Sequence, residues 1–494
     1  MADSCTVPME SDPTPMEIDI NNRLAFGMRI AKHMILQEIN NGSKQNLVLS
    51  PLSLHVLLNL LASGSEGRTL EQMLNFLESE SINDLTTQSS QMMDLAKITE
   101  EEFPESEVNI SNLNSQEGSS NILFGDGRPY AVLVRLACMV RMIGHQPKNF
   151  VSQNSVCMVG QQPKKVRQCS FSSSPLPSTN GNARSTGRND EGPIISFVNG
   201  IWTDSRFPIK LSFKQLAEDV YKAKAETVDL MSQAEKVRCE VNLWAEKATK
   251  GLIKDILPPG VLDGTIFVLA NALYFKGTWL NPFKASNTED EDFHLLNGKA
   301  VRVPFMKGYS IKPQFYGIFE GFKILMLPYK KGKNNNKQFS MYIFLPDKKD
   351  GLKELVQRFN FESRLLHEQL ELQQVELSKM WIPKLKFSYE FSNVHQVMQE
   401  LGLTLPFYEL NEELTGIVDS EYLYVSKAIQ KYIEVNEEGT VAIAFTVMNF
   451  CCQSSMTPAP PQPSFVADHP FMFMIKEEVS GIVLFTGAVL NPLI

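Results

Sequence analysis

The chain has 494 residues, 43% of them hydrophobic and 21% charged, an ordinary balance for a globular protein with a sizeable core. A formal net charge of −9 argues against nucleic acid as a primary partner. The most apolar run, 47–61, is broken by Ser50, Pro51, Ser53, His55 and Asn59, so it does not read as a membrane span.

Seven cysteines without motif spacing suit a reduced interior better than a disulfide framework. The first 22 residues carry no Lys or Arg and no apolar stretch, which is not the pattern of a secretory signal. The expected location is therefore cytoplasmic or nucleocytoplasmic.

Residues 1–20, rich in Pro, Met and acids, read as a disordered N-terminal extension. The spacing of Leu24, Met28, Ala31, Ile35 and Ile39 predicts a helix over 21–39, stopped by Gly42. Residues 53–62 read as a helix buried on nearly all sides. Thr69-Leu70-Glu71-Gln72 fits a capping box opening a helix with Leu70, Met73, Leu74 and Leu77 on its apolar face. Another amphipathic segment covers 82–98. The composition then shifts: Arg128 to Asn189 holds nine Lys or Arg and no acid, amid Ser, Gln, Asn and Pro.

Beyond that stretch, 194–202 has a strand pattern. Residues 234–250 form an amphipathic helix with Val237, Val241, Trp244 and Ala248 on one face and Gly251 as its stop. The nearly continuous apolar run 266–275 fits a sheet strand buried on both faces. Strands follow at 301–306, 322–327 and 339–345, and helices at 352–359 and 391–401. Two further strands, 471–476 and 481–490, close the chain. Helices early and strands late make this a mixed α+β protein.

Near the C-terminus, Ile433 and Val435 alternate with Glu434 and Asn436 as in a half-buried strand. Glu437-Glu438-Gly439 then forms a charged break with a backbone hinge. From Gly439 to Ala467 there is no charged residue, and the stretch stiffens at Pro458-Ala459-Pro460-Pro461-Gln462-Pro463. It reads as a surface loop with the composition of a strand. No G-x-S-x-G, H-E-x-x-H, phosphate-binding glycine loop or paired CxxC is present, and Cys451-Cys452 suit neither a disulfide nor a tetrahedral metal site. The expectation is no enzyme, no cofactor and no metal. His294, His367, His395 and His469 are scattered and read as structural, with His469 a candidate for a hydrogen-bonded role.

Several blocks, in order, carry a family resemblance. They are Leu49-Ser50-Pro51-Leu52-Ser53, Asn271-Ala272-Leu273-Tyr274-Phe275-Lys276-Gly277-Thr278-Trp279, Asn436-Glu437-Glu438-Gly439-Thr440, Phe465-Val466-Ala467-Asp468-His469-Pro470-Phe471 and Gly487-Ala488-Val489-Leu490-Asn491-Pro492. Together they resemble a serpin, and plant serpins in particular. The resemblance implies the serpin fold over 21–494, with three β-sheets, about nine helices and an exposed reactive-centre loop. Plant serpins have only a short connection where residues 100–190 stand, so that stretch reads as a disordered basic insertion. Its basic bias leaves open a polyanion site beside the readings without function, a disordered or a mistranslated segment.

The implied activity is inhibition of serine or cysteine proteases by a suicide-substrate route. The protease cuts the loop, and before the acyl-enzyme is hydrolysed the hinge side enters the central sheet as a new strand. The native fold is then metastable. A strand alternates faces, so every second hinge residue turns inward. Those positions, Thr440, Ala442, Ala444 and Thr446, are small or Thr, as in inhibitory members. The outward Val441, Ile443 and Phe445 depart from the plant pattern and raise the hazard of loop–sheet polymers of an otherwise monomeric protein. They keep an alternative open: a non-inhibitory member, a binding or storage protein whose loop is merely cut.

Counting from Gly439 as in plant serpins places the reactive bond near Gln453-Ser454. The exposed loop has no Lys or Arg, which excludes a trypsin-like target. Phe450 suits a chymotrypsin-like pocket, and Cys451 or Cys452 the apolar subsite of a papain-like cysteine protease. The resemblance further pairs Glu437 with Arg302 near Trp279, where insertion begins. It places Ser50, Ser53 and Asn271 in a polar cluster under the sheet, with Gln430 where many serpins have a His. The family's occasional extracellular members make that location the alternative.

Overall fold

A computed structural model describes residues 25–96, 192–308, 313–332, 337–358, 370, 372–387, 394–409, 411–419, 423–425, 427–429, 433–435 and 462–494. All belong to one compact unit, Met1–Pro104 with Arg188–Ile494; the second unit, Glu105–Gly187, lies outside the described residues. So do the expected N-terminal extension and the insertion at 100–190.

The first helices follow their apolar spacing. α1 (Ala25–Asn40) ends where Gly42 takes φ +64°, the left-handed value that Gly adopts without strain. α2 (Pro51–Ala62) is buried at every position. Ser50 caps it by accepting from the Ser53 backbone N–H at 3.1 Å, and Pro51 fills its first turn, where no N–H is needed. α3 (Gly67–Phe76) corrects the expected capping box, because it starts two residues before Thr69. The Glu413 carboxylate accepts from the Arg68 and Thr69 backbone N–H groups at 3.2 and 2.6 Å. Gln72 turns away to accept from the Thr404 and Leu405 backbone N–H groups. A cap from a distant residue has displaced the local one. α4 spans Ile82–Ala96.

α5 (Leu211–Asp219) is followed by α6 (Leu230–Ala248), which begins at an Asp229 cap four residues before the expected start. Ala245 is buried on its inner face with Val237 and Val241, while Ala248 is exposed. Gly251, at φ +84°, ends it as expected. α7 (Leu352–Arg358) and α8 (Val394–Glu400) bring the described residues to eight α-helices.

The strands form three main sheets and one small pair. The largest sheet is antiparallel throughout and runs β1 (Leu47–Leu49), β17 (Val483–Val489), β16 (Phe471–Glu477), β9 (Phe339–Pro346), β8 (Phe322–Pro328), β7 (Gln314–Phe319) and β10 (Gln373–Val375). A second runs β15 (Ser464–Val466), β11 (Lys379–Pro383), β6 (Ala300–Gly308) and β5 (Thr288–His294), with β15 parallel to β11. The central sheet runs β13 (Lys427–Ile429), β4 (Phe267–Lys276), β2 (Ile194–Asp204) and β3 (Ala223–Val228). β14 (Ile433–Val435) pairs antiparallel with β12 (Leu385–Phe387). Only residues 430–432, outside the described set, separate β13 from β14.

β4 explains its apolar run by being covered on both faces. Leu269, Leu273 and Phe275 enter the main core, which α1 and α2 share with the seven-stranded sheet. Val268, Ala270 and Ala272 meet Val237, Val241 and Ala245 of α6 in a smaller core. Alternation along one strand thus glues a helix to each side of the central sheet.

Candidate functional site: the open side of the central sheet

Two neighbours treat β4 unequally. β2 pairs with it antiparallel from end to end, Thr203 opposite Phe267 through Ile194 opposite Lys276. On its other side β13 runs parallel and pairs only with Val268, Leu269 and Ala270. Among the described residues no ladder is assigned to 271–276 on that side; β14 pairs with β12 and lies alongside β4.

A polar group sits at the middle of β4. Asn271, 1% exposed, stands directly opposite Asn199, and its amide donates to the Asn199 side-chain oxygen. Asn199 Nδ2 in turn donates to the Tyr221 main-chain oxygen at 3.0 Å and points at Met93 Sδ of α4 at 3.7 Å. Ser50 and Ser53 are buried at the start of α2, which packs on β4. Ser53 Oγ and Asn271 Oδ1 are buried without a hydrogen-bond partner among the described residues. Of the expected cluster, Gln430 lies outside the described residues; Asn199 is a member the sequence reading omits. Its signal was present, a polar residue inside the apolar run Ile194-Ile195-Ser196-Phe197-Val198-Asn199.

At the far end of β4, Trp279 is 2% exposed and stacks on Tyr329 with ring centroids 4.5 Å apart. Tyr329 meets Phe275 edge-on at 5.0 Å. The Leu280 N–H donates to the Pro328 oxygen, and the Lys330 N–H to the Thr278 oxygen, so the chain leaving β4 is pinned to the end of β8. Arg302 is exposed on β6, with Asp292 at 3.4 Å and Glu291 at 4.0 Å, both on β5. Its expected partner Glu437 lies outside the described residues.

The hinge itself, Glu437, Glu438, Gly439, Thr440, Ala442, Ala444 and Thr446, and the bond Gln453-Ser454, lie outside the described residues. The exit from the loop is described. Phe465 and Ala467 are buried, and Ser378 donates through its backbone N–H to the Pro463 oxygen at 2.9 Å, holding β15 on β11. His469 has the hydrogen-bonded role expected of it. It is 5% exposed, with Nδ1 2.7 Å from Asp468 Oδ1 and Nε2 2.8 Å from the Pro346 oxygen. Burial pushes the Asp468 carboxyl upward, but the hydrogen bond and charge of His469, with Lys349 and His294, bring it below its ordinary value.

On the outer face, α6 is fastened at its start by Asp204. This buried carboxylate, at the end of β2, accepts from the Leu230 and Met231 backbone N–H groups at 3.0 and 3.2 Å and from Arg206. Burial raises its pKa, yet the Arg206 hydrogen bonds and charge outweigh that and lower it. Among the described residues there is no cluster of His, Cys, Asp or Glu that would hold a metal, and no helix long and apolar enough to cross a membrane.

Three main sheets with a helix packed on each face of β4 define a mixed α+β fold. The family pattern described as Serpin (serine protease inhibitor) matches residues 21–120 and 166–492, and the chain belongs to the serpin family. Among its relatives are plant serpins. Serpin-Z10 of Arabidopsis thaliana is 35% identical over 481 residues, 96% of this chain and 98% of that protein. Serpin-ZXA of rice is 44% identical over 308 residues, 61% of this chain and 76% of that protein. The native stressed conformation of Arabidopsis AtSerpin1 superposes with a TM-score of 0.70 at 32% identity, covering 98% of this chain and all of that one.

Proposed function

We propose that this chain is a suicide-substrate inhibitor of serine or papain-like cysteine proteases that traps its target by inserting the cut loop into the central sheet. The observation that carries the reading is the parallel placement of β13 beside β4, with β14 alongside β4 as the last described segment before the hinge. β13 is parallel to β4, so a chain that reverses after β14 and returns between them is antiparallel to both. Antiparallel neighbours need only a tight turn between them, which suits the Glu438-Gly439 hinge. The alternation of Thr440, Ala442, Ala444 and Thr446 supports the same fit, since small inward side chains enter a packed sheet without overpacking it.

The uncharged loop directs the inhibitor away from trypsin-like enzymes, and Phe450, Cys451 and Cys452 favour targets with apolar specificity pockets. A panel of chymotrypsin-like and papain-like proteases tests this, scored for a covalent complex that survives denaturant. The inhibitor yields such a complex with at least one of them, and Thr440→Arg converts it to a cut substrate because a buried cation slows insertion. Val441→Arg, one residue on and facing outward, leaves the complex intact. Cleavage without any complex across the panel would turn the reading to a binding or storage protein.

A further inference from the structure

We propose that the Tyr221 hydroxyl is a brake on sheet opening: it ties the block β4-β2-β3 to α2 and must let go before a strand enters. The inference rests on the insertion reading above and names a residue that sets its rate.

A strand entering between β4 and β13 needs about 4.8 Å of new width, so the sheet on one side of the gap must move by about that much over the helices beneath. Besides apolar packing, the block on the β4 side is tied to α2 by a buried tyrosine. Tyr221, 0% exposed, lies just ahead of β3, and its main-chain oxygen accepts from Asn199, the β2 residue that holds Asn271 of β4. Its ring reaches the other way. The hydroxyl donates to the Asn59 main-chain oxygen at 3.1 Å and sits 2.6 Å from Ser63 Oγ, both in the last turn of α2 or at its cap.

α2 is in turn fixed to α4. Asn59 Nδ2 donates to Ser89 Oγ at 2.8 Å and to the Leu85 oxygen at 3.2 Å, and His55 Nε2 lies 2.9 Å from Gln88 Oε1. The two helices form a stationary bed, and the tyrosine spans from that bed to the moving sheet. Hydrogen bonds of 2.6 and 3.1 Å do not survive a displacement of about 4.8 Å. They are present in the uninserted state and lost on the way to the inserted one, so they raise the barrier between the two. Burial pushes the Tyr221 hydroxyl above its ordinary pKa, so it remains protonated and a donor at neutral pH.

Tyr221→Phe removes the tie without orphaning its partners. The Asn59 oxygen still accepts from the Ser63 N–H at 3.0 Å and from Ser63 Oγ at 2.9 Å. The full-length variant is compared with wild type by incubation just below the unfolding temperature, following loss of the active monomer to a heat-resistant monomer or to polymers on native gels. Tyr221→Phe converts about three- to tenfold faster, the factor that one net hydrogen bond supplies. Ser63→Ala, which removes the bond from the helix side, accelerates conversion too, and the double variant is no faster than the quicker single one.

Melting the loop-cut protein separates a brake from a simple packing role. After insertion the tie is already broken, so cut Tyr221→Phe melts with cut wild type, whereas a packing residue would lower intact and cut forms alike. A conversion rate within twofold of wild type, or an equal drop in both forms, overturns the brake. Were cut wild type to show no gain over intact, the insertion reading and the brake would fall together; with that gain present, failure of the variant counts against the brake alone.

Discussion

The seven-stranded sheet and the central sheet are built from similar residues and prepared for different lives. In the former, β16 is paired on both sides along its length, and Phe473, Phe485, Ile343 and Phe344 are at most 2% exposed. Its one fully buried acid, Glu477, accepts from the backbone N–H groups of Gln338, Val479 and Ser480 and from the Ser480 hydroxyl. On β9, the buried Ser340 Oγ has no hydrogen-bond partner among the described residues. In the central sheet, the ladder described between β13 and β4 covers only Val268 to Ala270, the middle of β4 is polar, and Ser53 Oγ and Asn271 Oδ1 have no partner among the described residues. Apolar packing tolerates no displacement without voids, whereas amides and hydroxyls exchange partners as a surface slides. The seven-stranded sheet is sealed mostly with hydrocarbon, while the central sheet carries the Asn199–Asn271 amide pair at its middle.

The strongest way to break this comparison is to cut the loop near Gln453 and melt the protein before and after. If the central sheet accepts the freed segment, the unfolding midpoint rises by about 10 °C or more, because several kcal/mol of new pairing moves a large domain by a few degrees each. An unchanged midpoint would mean that the gap beside β4 is not a receptor for a strand.

A core truncation in the fixed sheet comes next in size. Ile343→Ala leaves a cavity beside fully paired strands and lowers stability by about 2–5 kcal/mol. Since that sheet does not change on cutting, the drop in midpoint, read by calorimetry, is similar for intact and cut protein. A loss confined to one form would show that the two sheets are not independent.

Acid gives the smallest effect and touches both regions. Asp204 fastens α6 over the central sheet, Asp468 pairs with the His469 ring whose Nε2 reaches the Pro346 oxygen at the end of β9, and both carboxyls are held below their ordinary values. Their contribution is complete above about pH 4, the unfolded value, and is lost as pH falls through the lower folded values. Asp204→Asn and Asp468→Asn each flatten the acid limb of the midpoint measured between about pH 5 and 2. A limb as steep as that of wild type would place the lost protons elsewhere.

What the sequence determined by itself is whatever rests on near neighbours. Ser50-Pro51 starts α2 because a capping hydroxyl and a fixed φ act within one turn, and Gly42 and Gly251 stop their helices by a conformation of their own. Apolar runs named β4, β9, β16 and β17, and the ordered blocks identified the family. Tertiary structure decided the rest, where the partner is far along the chain. Glu413 took the N-terminus of α3 from the Thr69 box across more than 340 residues. Asn199 met Asn271 across 72 residues through strand register. Arg302 met Asp292 through the register of β5 and β6. Tyr221 reached back 158 residues to Ser63. A local pattern can state that a polar group needs a partner; only the packed chain chooses which one, because that choice depends on which strands and helices come to lie side by side.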